Sequence, residues 1–465
     1  MTVKRNLKRF FAPRKVAVVG ASTTKGRPGH TAIQNMRANG YRGVIYPVNP
    51  RGGRMFGLEV FKTIDDLPPG IDLAIVILPA AATPQAVRDC AERKIGCVVL
   101  VAGGFAEVDH AGEDLQEELS RVARETGVRV LGPNTAGHIS TPAKFTSSFF
   151  PLGTIPKGPI SYVAQTGNFT GAMMKHIMSA ENYGVARCIG LGNTVDIDET
   201  DVFEFLADDP HTKAVFFYLE SLRRPREFVK IAKRVTKTKP VILLKGGATP
   251  DGAIAALSHT ASMGSDDSIL SGAMRQAGVV RIDEFSQLFL AAKAVAPMPV
   301  PAGNRVGFVS PSGAFIVHIS DLCRQRLDLT FPPLAGKTMN RLKEISPPFI
   351  RLSNPVDIFP SATVHGMEYA YREAMEAVLA DSSVDAVVSI MILTRELGIP
   401  SLDFIPKLAK KHPKKPIYIS FSGDHECNNE AKEFLEPRGI PTFPLIEDSF
   451  KALDVLVRAR KALRK

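Results

Sequence analysis

The chain alternates short runs of consecutive apolar, often β-branched residues with longer stretches whose apolar positions recur at helical spacing. Val16 to Val19, Gly43 to Val48, Leu73 to Leu78, Val98 to Val101 and Gly127 to Leu131 read as buried parallel strands, since their apolar residues run on without a strict polar alternation. Pro84 to Lys94 and Asp114 to Thr126 carry amphipathic helical patterns between them. Strand and helix in regular alternation predict a doubly wound α/β domain over about residues 1–140. A Pro- and Gly-rich stretch, Pro151 to Pro159, marks a boundary. The pattern then restarts with strands at Ile160–Ala164, Ala214–Leu219 and Pro240–Lys245, in a second α/β domain over 155–295. Pro297 to Gly303 is a second linker, and the third domain, 303–465, continues with apolar runs at Ala386–Ile390 and Pro416–Ser420. Arg305 to Ala314 repeats the strand, small-polar-Gly turn and helix of Pro159 to Asn168. The last two domains therefore read as duplicates, or as a chance likeness of two strand–glycine–helix corners.

Composition narrows the class. At 465 residues the chain exceeds one core, and 45% hydrophobic with 23% charged residues is ordinary for a globular protein. No apolar run approaches the length of a membrane span, and the basic N-terminus has no apolar segment after it, so neither a membrane protein nor a secreted one is expected. Five scattered cysteines without metal-ligand spacing point to buried thiols in a reducing cytoplasm, and no metal site is read in this chain. The formal charge is +11, part of it at the two ends. Solvated helix faces account for it, or an anionic ligand or acidic partner. With no nucleic-acid module and only 7% aromatics, nucleic acid is not an expected partner.

The candidate chemistry lies where strands end. Gly20, Ala21, Ser22, Lys25 and Gly26 form a Gly-rich turn between the first strand and a helix, the kind of corner whose backbone N–H groups suit phosphates. Pro47 and Asn49, Pro79, and Gly103 with Gly104 end the following strands. All would line the carboxyl edge of the sheet, where this fold class binds ligands. The turn is neither GxGxxG nor a P-loop. In the second domain Gln165, Thr166, Gly167 and Asn168 follow a strand and open a helix, a second anion pocket. Glu220 ends another strand. His259 lies in an Ala-, Gly- and Ser-rich stretch, Asp251 to Ser265, expected to be a mobile loop. A carboxylate on one imidazole nitrogen fixes the tautomer and frees the other as a nucleophile.

Seven short motifs in order then carry a resemblance that spans the chain. They are Val18-Val19-Gly20-Ala21-Ser22, Tyr46-Pro47-Val48-Asn49-Pro50, Leu131-Gly132-Pro133-Asn134, Gly192-Asn193 with Asp196 and Asp198, Tyr218-Leu219-Glu220, Ser258-His259-Thr260 and Asn354-Pro355-Val356-Asp357. With them the sequence resembles the α subunit of ADP-forming acetyl-CoA synthetases, relatives of succinyl-CoA synthetase. The resemblance implies a Rossmann-like CoA-binding domain followed by two flavodoxin-like ligase domains. It implies coenzyme A as cofactor, a phosphorylated His259 oriented by Glu220, and a phosphate or acyl pocket that includes Asn134. It further implies that ATP or ADP with Mg²⁺ binds an ATP-grasp β subunit, giving a cytoplasmic hetero-oligomer acting on a small carboxylic acid or its acyl-CoA. Thr135, Asn168, Ala261 and Ser310 to Gly313 depart from the family's usual residues. A non-catalytic CoA-binding regulatory or scaffold protein of the same fold is the alternative. A nicotinamide enzyme is disfavoured, because Asn49-Pro50-Arg51 stands where an acidic residue should end the second strand.

Overall fold

The computed structural model describes the backbone of residues 3–260, 267–396 and 400–463, and side chains over 7–256, 267–396 and 400–463. The chain forms two compact units, Met1–Asp283 and Glu284–Lys465.

The first unit holds two sheets. Strands β1 (Lys15–Val19), β2 (Val44–Val48), β5 (Leu73–Val76), β6 (Cys97–Leu100) and β7 (Arg129–Leu131) build the first, in the order β2-β1-β5-β6-β7 and parallel throughout. A short hairpin, β3 (Arg54–Met55) with β4 (Leu58–Glu59), lies outside it. The continuous apolar runs are explained by burial on both faces. Val16 and Val18 pack into one apolar cluster, Ala17 and Val19 into another on the opposite side.

The second sheet has the order β14-β13-β12-β10-β11-β8-β9. Its strands are β8 (His138–Ser140), β9 (Phe145–Thr146), β10 (Lys157–Ala164), β11 (Val185–Gly190), β12 (Ala214–Leu219), β13 (Val241–Lys245) and β14 (Val280–Ile282). The antiparallel ribbon β8–β9 flanks residue 140, where the first domain is expected to end, and pairs with β11 in this second sheet. The two sheets are also sewn together directly. After β11 the chain runs beside β7, with Val195 N–H donating to Gly132 O at 3.1 Å and Ile197 N–H to Val130 O at 3.0 Å. Arg129 binds Asp196 at 2.7 Å and Asp201 at 2.9 Å there.

The second unit contains a parallel sheet of β15 (Val306–Ser310), β16 (Val356–Asp357), β17 (Ala386–Leu393), β18 (Ile417–Gly423) and β19 (Thr442–Phe443), in the order β16-β15-β17-β18-β19. Helix Phe285–Val295 packs on helix Ile446–Leu463 within this unit, and its buried Lys293 pairs with Glu436 at 2.6 Å. Among their parallel strands, all three sheets share one order in which the first lies between the second and the third. The chain therefore leaves the first strand of each in opposite directions, opening a crevice at the carboxyl ends beside it.

Candidate active site

The crevice of the second sheet lies between the ends of β10 and β12. Gln165 and Thr166 leave β10, and Glu220 leaves β12 directly after Leu219. Facing this point from the first sheet is the turn after β7, where Asn134 takes the left-handed conformation at φ 57°. Between them lies a cavity of about 290 Å³, lined among others by Asn134, Thr135, Gln165, Thr166, Gly167 and Asn168. All five residues expected to form a phosphate or acyl pocket therefore surround one cavity.

Its floor is rigid. Thr135 is buried, donating its hydroxyl to Gly190 O at 2.6 Å and accepting from Gly137 N–H at 3.0 Å. Gly192, at φ 65°, brings its backbone so near the Asn134 turn that a side chain there would put its Cβ 2.1 Å from Pro133 O. Asn193 is saturated, donating to Glu107 at 2.6 Å and Gln116 at 2.8 Å, while its side-chain oxygen accepts from Asn134 at 3.3 Å.

The expected helix after Asn168 differs. Gly167–Thr170 forms a single 3₁₀ turn, and the backbone breaks at Gly171, where the Phe150 ring lies 2.7 Å from the place of a Cβ. Asn168 N–H is accepted by Thr166 Oγ1 at 3.3 Å. The anion pocket therefore owes little to a helix dipole, which needs several aligned turns.

Glu220 is held from three strands. Gln165 Oε1 accepts from Glu220 N–H at 2.6 Å and Ser221 N–H at 2.9 Å, and its amide nitrogen donates to Ser221 O at 3.1 Å. Lys245, at the end of β13, donates to Glu220 O at 2.6 Å, and burial lowers its pKa. The Tyr218 hydroxyl donates to Glu220 Oε1 at 3.2 Å. Burial, then the charge of Glu220, pushes that phenol up to about 12, so it stays a donor. The stretch expected to be a loop around His259 begins as a helix, Pro250–Thr260. Its small residues include Ala253, Ala255 and Ala256, and alanine is the best helix former. The side chains of Ser258, His259 and Thr260 and all of Ala261 lie outside the described residues.

The first sheet presents its own turn. Ser22 to Pro28 lie mostly exposed at its carboxyl edge, with Lys25, Gly26 and Arg27 all open to solvent. The N–H groups of Gly20 and Ala21 do not face outward, since both donate to Val48 O at 3.0 and 3.1 Å. Pro47 is buried in register with Val18, and Asn49 braces the turn by donating to Ala21 O at 2.8 Å. Pro79, Gly103 and Gly104 are exposed at neighbouring strand ends. Gly104 N–H is accepted by Glu107 at 2.7 Å, a carboxylate missed in the sequence and legible only as an acidic residue three positions past a glycine pair. An exposed cationic turn on this edge fits an anionic coenzyme, with Lys25 and Arg27 in place to meet phosphates.

A sequence model described as a CoA binding domain matches residues 14–140, and one described as a succinyl-CoA ligase like flavodoxin domain matches 157–295. The alpha subunit of acetate–CoA ligase [ADP-forming] I from Pyrococcus furiosus is 32% identical over 462 residues, 98% of each chain. The chain belongs to the ADP-forming acetate–CoA ligase family. Acetate–CoA ligase [ADP-forming] II from Archaeoglobus fulgidus is 34% identical over 459 residues, which cover 98% of this ligase chain and 67% of that longer protein. A solved structure of the dinucleotide-forming acetyl-coenzyme A synthetase 1 of Candidatus Korarchaeum cryptofilum, in complex with phosphate and ADP, superposes with a TM-score of 0.89 at 30% identity, covering 98% of each chain. The fold is thus the α/β fold of CoA-binding and succinyl-CoA ligase-like domains, and the chain is of the acid–CoA ligase alpha-subunit type. Among the described residues, no helix is long and apolar enough to cross a membrane, no group of three or more His, Cys, Asp or Glu could hold a metal, and all five cysteines are buried.

Proposed function

We propose that this chain is the CoA-binding, phosphohistidine-carrying subunit of an ADP-forming acyl-CoA synthetase, interconverting acyl-CoA, ADP and phosphate with acid, ATP and CoA. Residues 1–140 hold CoA, residues 155–295 carry the phosphoryl chemistry and residues 303–465 form a second ligase domain. The single observation behind this reading is that Asn134 and Gln165 to Asn168 line one cavity while Gln165 also seats the backbone of Glu220, with the helix bearing His259 following the adjacent strand β13.

In the first step phosphate attacks the thioester carbonyl, the C–S bond breaks and CoA leaves as the thiol, giving an acyl phosphate. His259 then attacks phosphorus, the P–O bond to the acyl group breaks, and a carboxylate departs. Glu220 holds the imidazole and stabilises the positive charge that grows as the N–P bond forms. Asn134 and Thr166 offer donors to the phosphoryl oxygens. ADP, bound with Mg²⁺ in a separate ATP-grasp subunit, takes the phosphoryl group in a cytoplasmic hetero-oligomer; the alpha-subunit relative that this chain matches over 98% of its length supports that reading.

Acetyl-CoA with radiolabelled phosphate should place acid-labile, base-stable label on the protein. His259→Asn should abolish it, and Glu220→Gln should slow it without weakening CoA binding. Full labelling of His259→Asn would refute the proposal. A purified chain that makes ATP alone would refute the separate subunit.

A further inference from the structure

Glu220 sits in a seat far more elaborate than a strand-end carboxylate needs. Its N–H is accepted by Gln165 from β10, and its carbonyl is bound by Lys245 from β13. Its carboxylate takes the hydroxyl of Tyr218, two residues earlier, near the end of the extended chain of β12. Residues two apart on a strand point to the same face, so Tyr218 and Glu220 project together. The Tyr218 ring is in turn fixed against Phe169, stacked at a centroid distance of 6.3 Å.

The residue that lies under this pair is a glycine. A Cβ added to Gly246 would lie 3.0 Å from the Tyr218 hydroxyl and 3.1 Å from Glu220 Cγ. Gly246 is itself pinned, donating its N–H to Leu219 O at 2.9 Å while its carbonyl accepts from Lys245. A side chain at position 246 would therefore press on both the tyrosine hydroxyl and the Glu220 side chain, each of which would have to give by a few tenths of an ångström.

We propose that Tyr218 is a positioning residue for phosphoryl transfer to His259, aiming the Glu220 carboxylate through its hydroxyl, and that Gly246 is kept without a side chain to let that pair form. Gln165 belongs to the same seat. It lines the cavity, yet its amide oxygen is committed to the Glu220–Ser221 backbone, so it joins the phosphate pocket to the carboxylate instead of reaching a ligand with that atom. This inference rests on the phosphohistidine reading above.

The test is a double-mutant cycle on the rate of labelling by acetyl-CoA and inorganic phosphate, measured by rapid quench on the full chain. Tyr218→Phe removes one oxygen and should slow labelling by about ten-fold or more, the scale of one hydrogen bond to a charged group. In the Glu220→Ala background the same change should have an effect within about two-fold on the residual rate, because a residue acting only through the carboxylate has nothing left to aim. Gly246→Ala should reproduce the loss and its dependence on Glu220, and it carries the test should Tyr218→Phe fold poorly. CoA affinity by calorimetry should stay constant in all of them. Losses that multiply in the double variants, or wild-type rates in both single ones, overturn the proposal. His259→Asn separates the two readings. If it keeps the label, the phosphohistidine assignment falls. If it loses the label while the cycle is additive, only the role of Tyr218 falls.

Discussion

Glu199 offers a measurement whose size follows from its surroundings. It opens helix Glu199–Ala207 and is fully buried, with Oε1 accepting from Arg223 N–H at 2.9 Å. Its other carboxylate oxygen has no partner among the described residues. Burial first, and then the neighbouring Asp198, raise its pKa from 4.5 to about 7, against the opposing charge of Arg224. The folded chain therefore binds this proton more tightly than the unfolded chain does. The resulting stability is complete below about pH 4.5 and is lost as pH rises through 7. Glu199→Gln removes the titration and keeps an oxygen for Arg223. At about 1.36 kcal/mol per pKa unit, the variant should gain on the wild type by about 2 to 3 kcal/mol between pH 5 and pH 8. At roughly 2 °C per kcal/mol for a domain this large, that is ~5 °C in Tm. Thermal melts of both proteins at several pH values, or urea titrations, read it directly. Only the change with pH counts, because the buried glutamine NH₂ adds a cost that does not vary with pH. A difference in Tm that stays flat from pH 5 to 8 would refute the reasoning.

Thr135→Val should cost about 2 kcal/mol by urea titration, since an isosteric side chain leaves Gly190 O and Gly137 N–H unpaired in the core, while Thr135→Ser should be nearly neutral. Arg224→Met should lower stability by roughly 1–3 kcal/mol, because Asp198 and Asp201, both buried, lose a guanidinium that lies 2.5 and 2.6 Å away and is itself about a third exposed. Calorimetry should show CoA binding more tightly than NAD, with Lys25→Ala weakening CoA without changing Tm. Tighter NAD binding would refute the coenzyme assignment.

The longest strands were readable because burial on both faces leaves an unbroken apolar run, as in β10, β12 and β13. Strand β11 was not, although all six of its residues are buried. Arg187 interrupts its pattern, and only the fold supplies the buried Asp209 that pairs with it at 3.1 Å. Strands β8, β9, β14, β16 and β19 have two or three residues each, too few to show a period, and pairing with longer neighbours creates them. The helix over Pro250–Thr260 was hidden because the Ala and Gly that suggested a loop do not reveal whether a helix can dock there. Glu220, Asn134 and Thr166 were legible as candidates because each follows a strand end, and the ordered motifs add Asn134 and Glu220 to the family resemblance.

What the sequence by itself determined is the alternation of apolar runs and amphipathic stretches, hence three α/β sheets built mainly of parallel strands, and the residues at their carboxyl ends. Local patterning fixes these because strand burial and chain direction need no knowledge of distant partners. The tertiary structure alone decided how those residues are used. The N–H groups of Gly20 and Ala21 turn inward to Val48, Gln165 holds the backbone of Glu220, and Gly246 clears a space for Tyr218 beside it. Each of these depends on contacts between segments tens of residues apart, where a hydrogen bond or a 3 Å approach is set by sheet order and not by neighbours in the chain.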